Sequence, residues 1–209
     1  PHLVLRQKAF DNQIQKGKRA LIVDSNLFLY ADKNNSKRYL RYSFNGVFPT
    51  TGFYFDTDIN PNRWAKISRD LNISLKPWKT DGEYVLVCLQ RNGGWSMRGY
   101  PVLEWLDKTI QDIRKVNRKV PILVRMHPGD KKMPRMINLR GHKNVHLSRS
   151  QNITEDLRRS FATVLYNSSP AIASAIEGVP VFLTDSNPEH SQAFPIANTD
   201  ISRLMDPVM

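Results

Sequence analysis

Cysteine is nearly missing from this sequence of 209 residues: Cys88 is the single one. That excludes a disulfide framework and fits a reducing compartment, with Cys88 itself a buried strand residue inside the run Tyr84-Val85-Leu86-Val87-Cys88-Leu89. Long apolar runs are missing too. No stretch reaches the roughly 18 residues that cross a bilayer, and the start of the chain has no signal-peptide core, so a soluble, cytoplasmic protein without a transmembrane segment is expected. The chain begins at Pro1, which fits processing or trimming of a longer one. Acidic residues are scarce, 19 Asp and Glu against 31 Lys and Arg, a net charge of +12. Basic partners are thereby disfavoured, and phosphate-bearing ligands head the remaining classes. A Walker A loop, a GxGxxG fingerprint, an HExxH pair and a cysteine cluster are all absent, so neither a metal nor a cofactor is expected. His142 and His146 stand four apart, but Gly141 and Asn144 argue for a loop entering a strand rather than a metal pair.

What is present divides at about Gly82. Residues 1–82 form a short N-terminal region rich in aromatics and turn residues, such as Asn45-Gly46, Pro49-Thr50-Thr51-Gly52 and Asn60-Pro61-Asn62. One strand is expected there, Ala20 to Val23, and one helix opening at Asn60-Pro61 with Trp64, Ile67 and Leu71 at helical spacing. Leu75 to Gly82 has the composition of a linker. Residues 83–209 then alternate apolar strands with amphipathic helices, the pattern of an α/β, Rossmann-like parallel sheet covered on both faces. Strands are expected at 84–89, 121–126, 145–147, 162–166 and 179–183, and helices at 102–116, 154–160 and 170–177.

Ligands of such sheets lie beyond the carboxyl ends of the strands. Four loops fall there, at 90–99, 127–130, 167–169 and 184–191. The second begins His127-Pro128, where an imidazole can donate to a phosphate and, if protonated, stabilise the charge on a departing one; a histidine capping the Pro128-Gly129 turn is the plain alternative. The third is Asn167-Ser168-Ser169 directly before a helix. One such residue is an ordinary cap, but three exceed what one cap needs and, with the helix start, form an anion site. The first carries Arg91, Gly93, Gly94, Arg98 and Gly99, glycines permitting close backbone approach and arginines neutralising phosphate; a plain surface loop has the same composition.

A strand ending in His-Pro, a later strand ending in Ser-Ser at a helix start, and then Glu177-Gly178-Val179-Pro180 resemble the nucleotide-sugar lobe of GT-B glycosyltransferases. Nearest in pattern are the bacterial sialyltransferases and capsular Kdo transferases, and the likeness covers about Tyr84 to Ala193. The resemblance implies a metal-independent glycosyltransferase with a UDP- or CMP-sugar donor. It implies His127 as the catalytic group on the leaving nucleotide, with Ser168 and Ser169 holding the donor and Asp185, Glu189 and Gln192 contacting the sugar; the make-up of their loops adds Arg91, Gly93, Gly94 and Asn167 as expected nucleotide-binding residues. The acidic motif carrying the sialyltransferases' general base is reduced here to Asp81-Gly82, so no base is assigned. The residues before Tyr84 are fewer than a full second Rossmann lobe takes, so the acceptor lobe is expected to be reduced, missing or supplied by another chain, and a homo-oligomer is carried as an expectation.

Charge bears on the acceptor. From Asp107 to Ser150 there are 12 Lys and Arg against 3 Asp and Glu, and in the first 80 residues 14 against 6. Such density suits a polyanion. Hydroxymethylated DNA of a phage and a surface glycan are the two acceptor classes, and a non-catalytic polyanion- or nucleic-acid-binding protein with a degenerate Rossmann lobe is the competing function.

Overall fold

Residues 2–28, 30–31, 39–54 and 60–208 are described by the computed structural model, and the chain divides into two units, Pro1–Ile73 and Ser74–Met209. The N-terminal unit holds α1 (His2–Gln15), an antiparallel ribbon of β1 (Leu21–Ser25) and β2 (Leu40–Phe44), and α2 (Asn62–Leu71). β1 and α2 answer to the expected strand and helix; α1 and β2 do not, since α1 is polar throughout most of its length and β2 lies among turn residues. α2 starts after Pro61 and stops at Asn72, whose φ of 54° ends the helical ladder. Among its described residues, only Leu71 and Ile73 of this unit are buried hydrophobics.

The C-terminal unit holds β3 (Tyr84–Cys88), α3 (Val102–Val116), β4 (Ile122–Arg125), the short α4 (Met133–Met136), β5 (Val145–Leu147), α5 (Ile153–Arg159), β6 (Ser160–Leu165), α6 (Pro170–Ile176) and β7 (Val181–Leu183). Its five strands are all parallel, in the order β5-β4-β3-β6-β7. β3 reads as an unbroken apolar run because it is central and covered on both faces. α3 places Val102, Trp105, Leu106, Ile110 and Ile113 on one buried stripe, the spacing of a helix facing a sheet, and joins Val85, Val87, Val124 and Val164 in the core. Trp105 is 2% exposed, donates from Nε1 to Thr184 Oγ1 at 2.8 Å and meets Tyr166 edge-on. α5 and α6 lie on the sheet's other side, the Ser174 hydroxyl 3.1 Å from Thr163 Oγ1 of β6.

The stretch expected as a linker is part of this unit. Lys76 N–H donates to Ile176 O and Lys79 N–H to Gly178 O, and Lys79 Nζ caps the carbonyls of Leu157 and Arg158 at the end of α5. The compact C-terminal unit accordingly begins at Ser74. Gly178, at φ +71°, closes α6 against that stretch, and a Cβ there would stand 1.9 Å from Pro77 O, so no other residue fits. Cys88 is buried and burial pushes its thiol up to about 12, which makes it an inert strand residue. Among the described residues no helix is long and apolar enough to cross a membrane.

Candidate functional site

Strand order locates the site. From β3 the chain builds outward to β4 and β5 on one side and to β6 and β7 on the other, so the carboxyl ends of β3 and β6 flank the point where the order reverses. The loop after β3 touches each of the other three loops there. Gln90, buried at 5% exposure, accepts from Asn167 N through Oε1 and donates through Nε2 to Ser96 Oγ at 2.6 Å. Asn92 N donates to Asp130 Oδ2 at 2.7 Å, joining the loop after β4. Arg98 pairs with Asp185 and lies 2.8 Å from His190 Nδ1, joining the loop after β7. Arg98 itself sits at φ 50°, a left-handed conformation that a non-glycine residue adopts at some strain, held here by those two partners.

His127 follows β4 directly and is half-buried. The amide of Gly129 donates to its Nδ1 at 3.0 Å, which assigns that nitrogen as acceptor and places the ring proton on Nε2. Burial, and next the Arg91 charge, lower its pKa below 6.5. The imidazole is thus a neutral Nε2–H donor near pH 7, not the cation that the sequence left open. Asp130 fixes this loop: burial alone would raise its pKa, but three backbone N–H groups, of Asn92, Met133 and Lys132, together with Arg91, hold it below the usual carboxylate range. One carboxylate thereby sets the positions of the Arg91 turn, the His127 loop and the start of α4.

Asn167, expected to bind the nucleotide with Ser168 and Ser169, is engaged by other loops of the protein. Its Nδ2 donates to Asp185 Oδ2 at 2.6 Å and to Ser96 O at 3.2 Å, tying three loops together. The cap position belongs to Ser169, whose side chain makes no capping bond and is exposed. Ser168 Oγ is buried without a hydrogen-bond partner, an orphan polar atom in a polar setting. α6 has only seven residues, begins with Pro170, and bonds its first free amides, Ala171 and Ile172, back to Ser168 O and Ser169 O. Its start therefore carries the exposed Ser169 hydroxyl and the buried, unpartnered Ser168 hydroxyl instead of a row of bare amides.

Asp185, expected at the sugar, has a side chain that is 0% exposed and engaged by Arg98, Asn167 and the amide of Asn187. Glu189 lies in the short turn Pro188–His190 and Gln192 just after it, both half-buried and both with contacts inside the protein. Arg91 is exposed. Gly93 takes φ +67° with open space around it, while Gly94 N–H is bonded to Arg91 O at 3.0 Å, so the turn shapes Arg91's position. Sequence reasoning assigned no role to Gln90, Asn92, Ser96 and Asp130, and Arg98, expected to neutralise phosphate, is found paired with Asp185. Each is a single polar residue in a loop with a partner 38 to 87 positions away. His142 Nε2 lies 2.9 Å from Asp107, and among the described residues no cluster of three or more His, Cys, Asp or Glu could hold a metal.

No known family's profile matches this chain, and no curated protein matches its sequence. Solved structures do resemble it. The KpsC β-Kdo 2,7 transferase of Thermosulfurimonas dismutans is similar at a TM-score of 0.51 and 14% identity, over 88% of this chain and 66% of that one. The KpsC β-Kdo 2,4 transferase of the same organism aligns at 0.47 and 18%, over 72% and 56%, and the glycosyltransferase SnogD of Streptomyces nogalater at 0.40 and 16%, over 63% and 36%. The chain spans under two thirds of the length of each. The fold is accordingly α/β with a Rossmann-like parallel sheet of the GT-B lobe type.

Proposed function

We propose that the C-terminal unit binds the nucleotide of a sugar donor and that the protein transfers the sugar to an acceptor hydroxyl. The carrying observation is the constellation at the carboxyl ends of β3, β4 and β6: an imidazole held as an Nε2–H donor by Gly129, an exposed Arg91 beside it, and the unpartnered Ser168 hydroxyl. β4 and β6 flank β3, so His127 and Ser168 follow strands about 10 Å apart, the reach of a phosphate and its ribose. The GT-B lobe fold, shared with a transferase of Kdo, supports the same chemistry.

In this mechanism the sugar–oxygen bond breaks with charge gathering on the leaving phosphate. The His127 Nε2–H and Arg91 meet that charge, and a hydrogen bond that strengthens as charge develops lowers the barrier. Ser168 and Ser169 hold the nucleotide, and Asp185 acts through Arg98 and Asn167 to position the loops instead of touching the sugar. UDP and CMP are the donor nucleotides to test, and the charge of +12 favours a polyanionic acceptor, hydroxymethylated DNA ahead of a surface glycan.

The test is nucleotide release from UDP- and CMP-sugars, with and without acceptor, by the full chain and by His127→Ala. Release by one donor, lowered on the order of 10²-fold in kcat by the substitution with little change in KM, is the expected result. An unaltered kcat would remove His127 from the chemistry.

A further inference from the structure

We infer that α2 presents a docking stripe for the phosphate backbone of a nucleic-acid duplex, a step that rests on the proposed transfer to a polyanionic acceptor. Arg63, Lys66 and Arg69 recur every third residue of α2, so they lie on one gently winding face, and all three are exposed. They line an open recess of about 510 Å³ together with the amide side chains of Asn60 and Asn62, so among the described residues its polar lining consists of donors of positive or neutral charge.

None of the three cations forms an ion pair with a described residue. The helix's one carboxylate, Asp70, accepts from Tyr39 Oη at 2.6 Å instead, and no acidic residue stands in the first turn. Cations in the first half of a helix run against its dipole, so Arg63 and Lys66 do not serve helix stability. Leu71, at the end of the helix, is buried, whereas Arg63, Lys66 and Arg69 are all left to solvent.

Length and charge select the occupant. The stripe covers about 9 Å of helix axis, over which duplex DNA presents on the order of five phosphate charges. A single nucleotide would leave part of it unmatched, whereas a backbone engages all three residues and releases a counterion at each.

The experiment is a fluorescence-anisotropy titration of a hydroxymethylcytosine duplex at several salt concentrations between about 50 and 200 mM. It compares the full chain with the triple variant Arg63→Gln, Lys66→Gln, Arg69→Gln, which replaces exposed groups by a good helix former. The expected result is steep salt dependence in the unaltered chain and a log–log slope reduced by about 2.7 in the variant, about 0.9 for each lost contact. An unchanged slope, or equal and equally sensitive binding to an acidic polysaccharide, overturns the assignment. Donor hydrolysis measured on both proteins separates the two layers. Intact hydrolysis with an unchanged slope sinks the stripe alone, while absent hydrolysis in the unaltered chain sinks the transferase reading whatever the slope.

Discussion

The two units differ in how they brace their cations. In the C-terminal unit several cations near the sheet have partners inside the unit. Arg125 pairs with Asp156 under α5, Arg114 donates to the carbonyls of Val120 and Lys143, Lys108 and Lys115 bracket Asp112, and Arg98 holds Asp185. In the N-terminal unit Arg41 meets Asp24, but Arg63, Lys66 and Arg69 have no such partner among the described residues. Apolar residues follow the same division. The C-terminal unit buries a full core, whereas Leu21, Val23, Leu40 and Tyr42 form one face of the β1-β2 ribbon and are each more than half exposed. A local excess of basic residues in a sequence therefore marks two different things, and only the structure tells an internal brace from a free surface.

The comparison can be broken at two tryptophans. Trp105→Ala is expected to destabilise the protein by about 3–5 kcal/mol, since it empties a core site and removes the Nε1–H bond to Thr184 Oγ1. Trp64→Ala, at 38% exposure with Phe28 as its ring neighbour, is expected to change stability by about 1 kcal/mol or less. Urea unfolding of both variants measures the difference, and similar values would mean that the N-terminal unit is as tightly packed as the other.

Asp130→Asn comes next in size. Removing the charge from a buried acceptor of three backbone N–H groups should cost about 2 kcal/mol, and it should loosen the Arg91 turn and weaken nucleotide binding. The pH dependence has a definite sign. A carboxyl held below its ordinary 3.8 contributes stability that is complete above that value and fades as pH falls through the lowered pKa. Melting temperatures of the unaltered protein should fall more steeply on acidification than those of Asp130→Asn; parallel curves would deny Asp130 its bracing role. His127 behaves likewise at higher pH. Its neutral ring is favoured, so its contribution is complete above 6.5 and lost below, and nuclear magnetic resonance of the ring nitrogens should show a proton on Nε2 and a midpoint under 6.5. A midpoint at or above that value contradicts the lowered pKa, and a proton on Nδ1 contradicts the assigned tautomer.

Much of the C-terminal fold was legible because long-range order there follows short-range pattern. The apolar run at Tyr84 announces a covered strand, the Val102–Val116 stripe announces a helix, and Gly178 announces a stop. Boundaries moved by one or two residues: β6 begins at Ser160, with no loop after α5, because Gly82 lets the chain pass against Phe161. α1 and β2 were illegible, since neither carries a clean apolar period. In the site, loops could be placed but bonding could not. Asn167 as a cap is the local solution that sequence suggests, and Asp185 and Ser96, distant in sequence, offered it a better one. Asp185 looked available for a sugar for the same reason: its partner Arg98 lies 87 positions away.

The most direct measurement of the central claim is calorimetric titration of UDP, CMP, GDP and ADP into the unaltered protein and into the double variant Ser168→Ala, Ser169→Ala. Ser169 makes no capping bond and Ser168 Oγ has no partner, so the fold should not depend on either hydroxyl. The account requires that one nucleotide bind, and that the double variant lose that binding with its melting temperature unchanged. Retained affinity in the double variant, or a fall in melting temperature with affinity intact, would make these hydroxyls structural and contradict a nucleotide site at the carboxyl edge of the sheet.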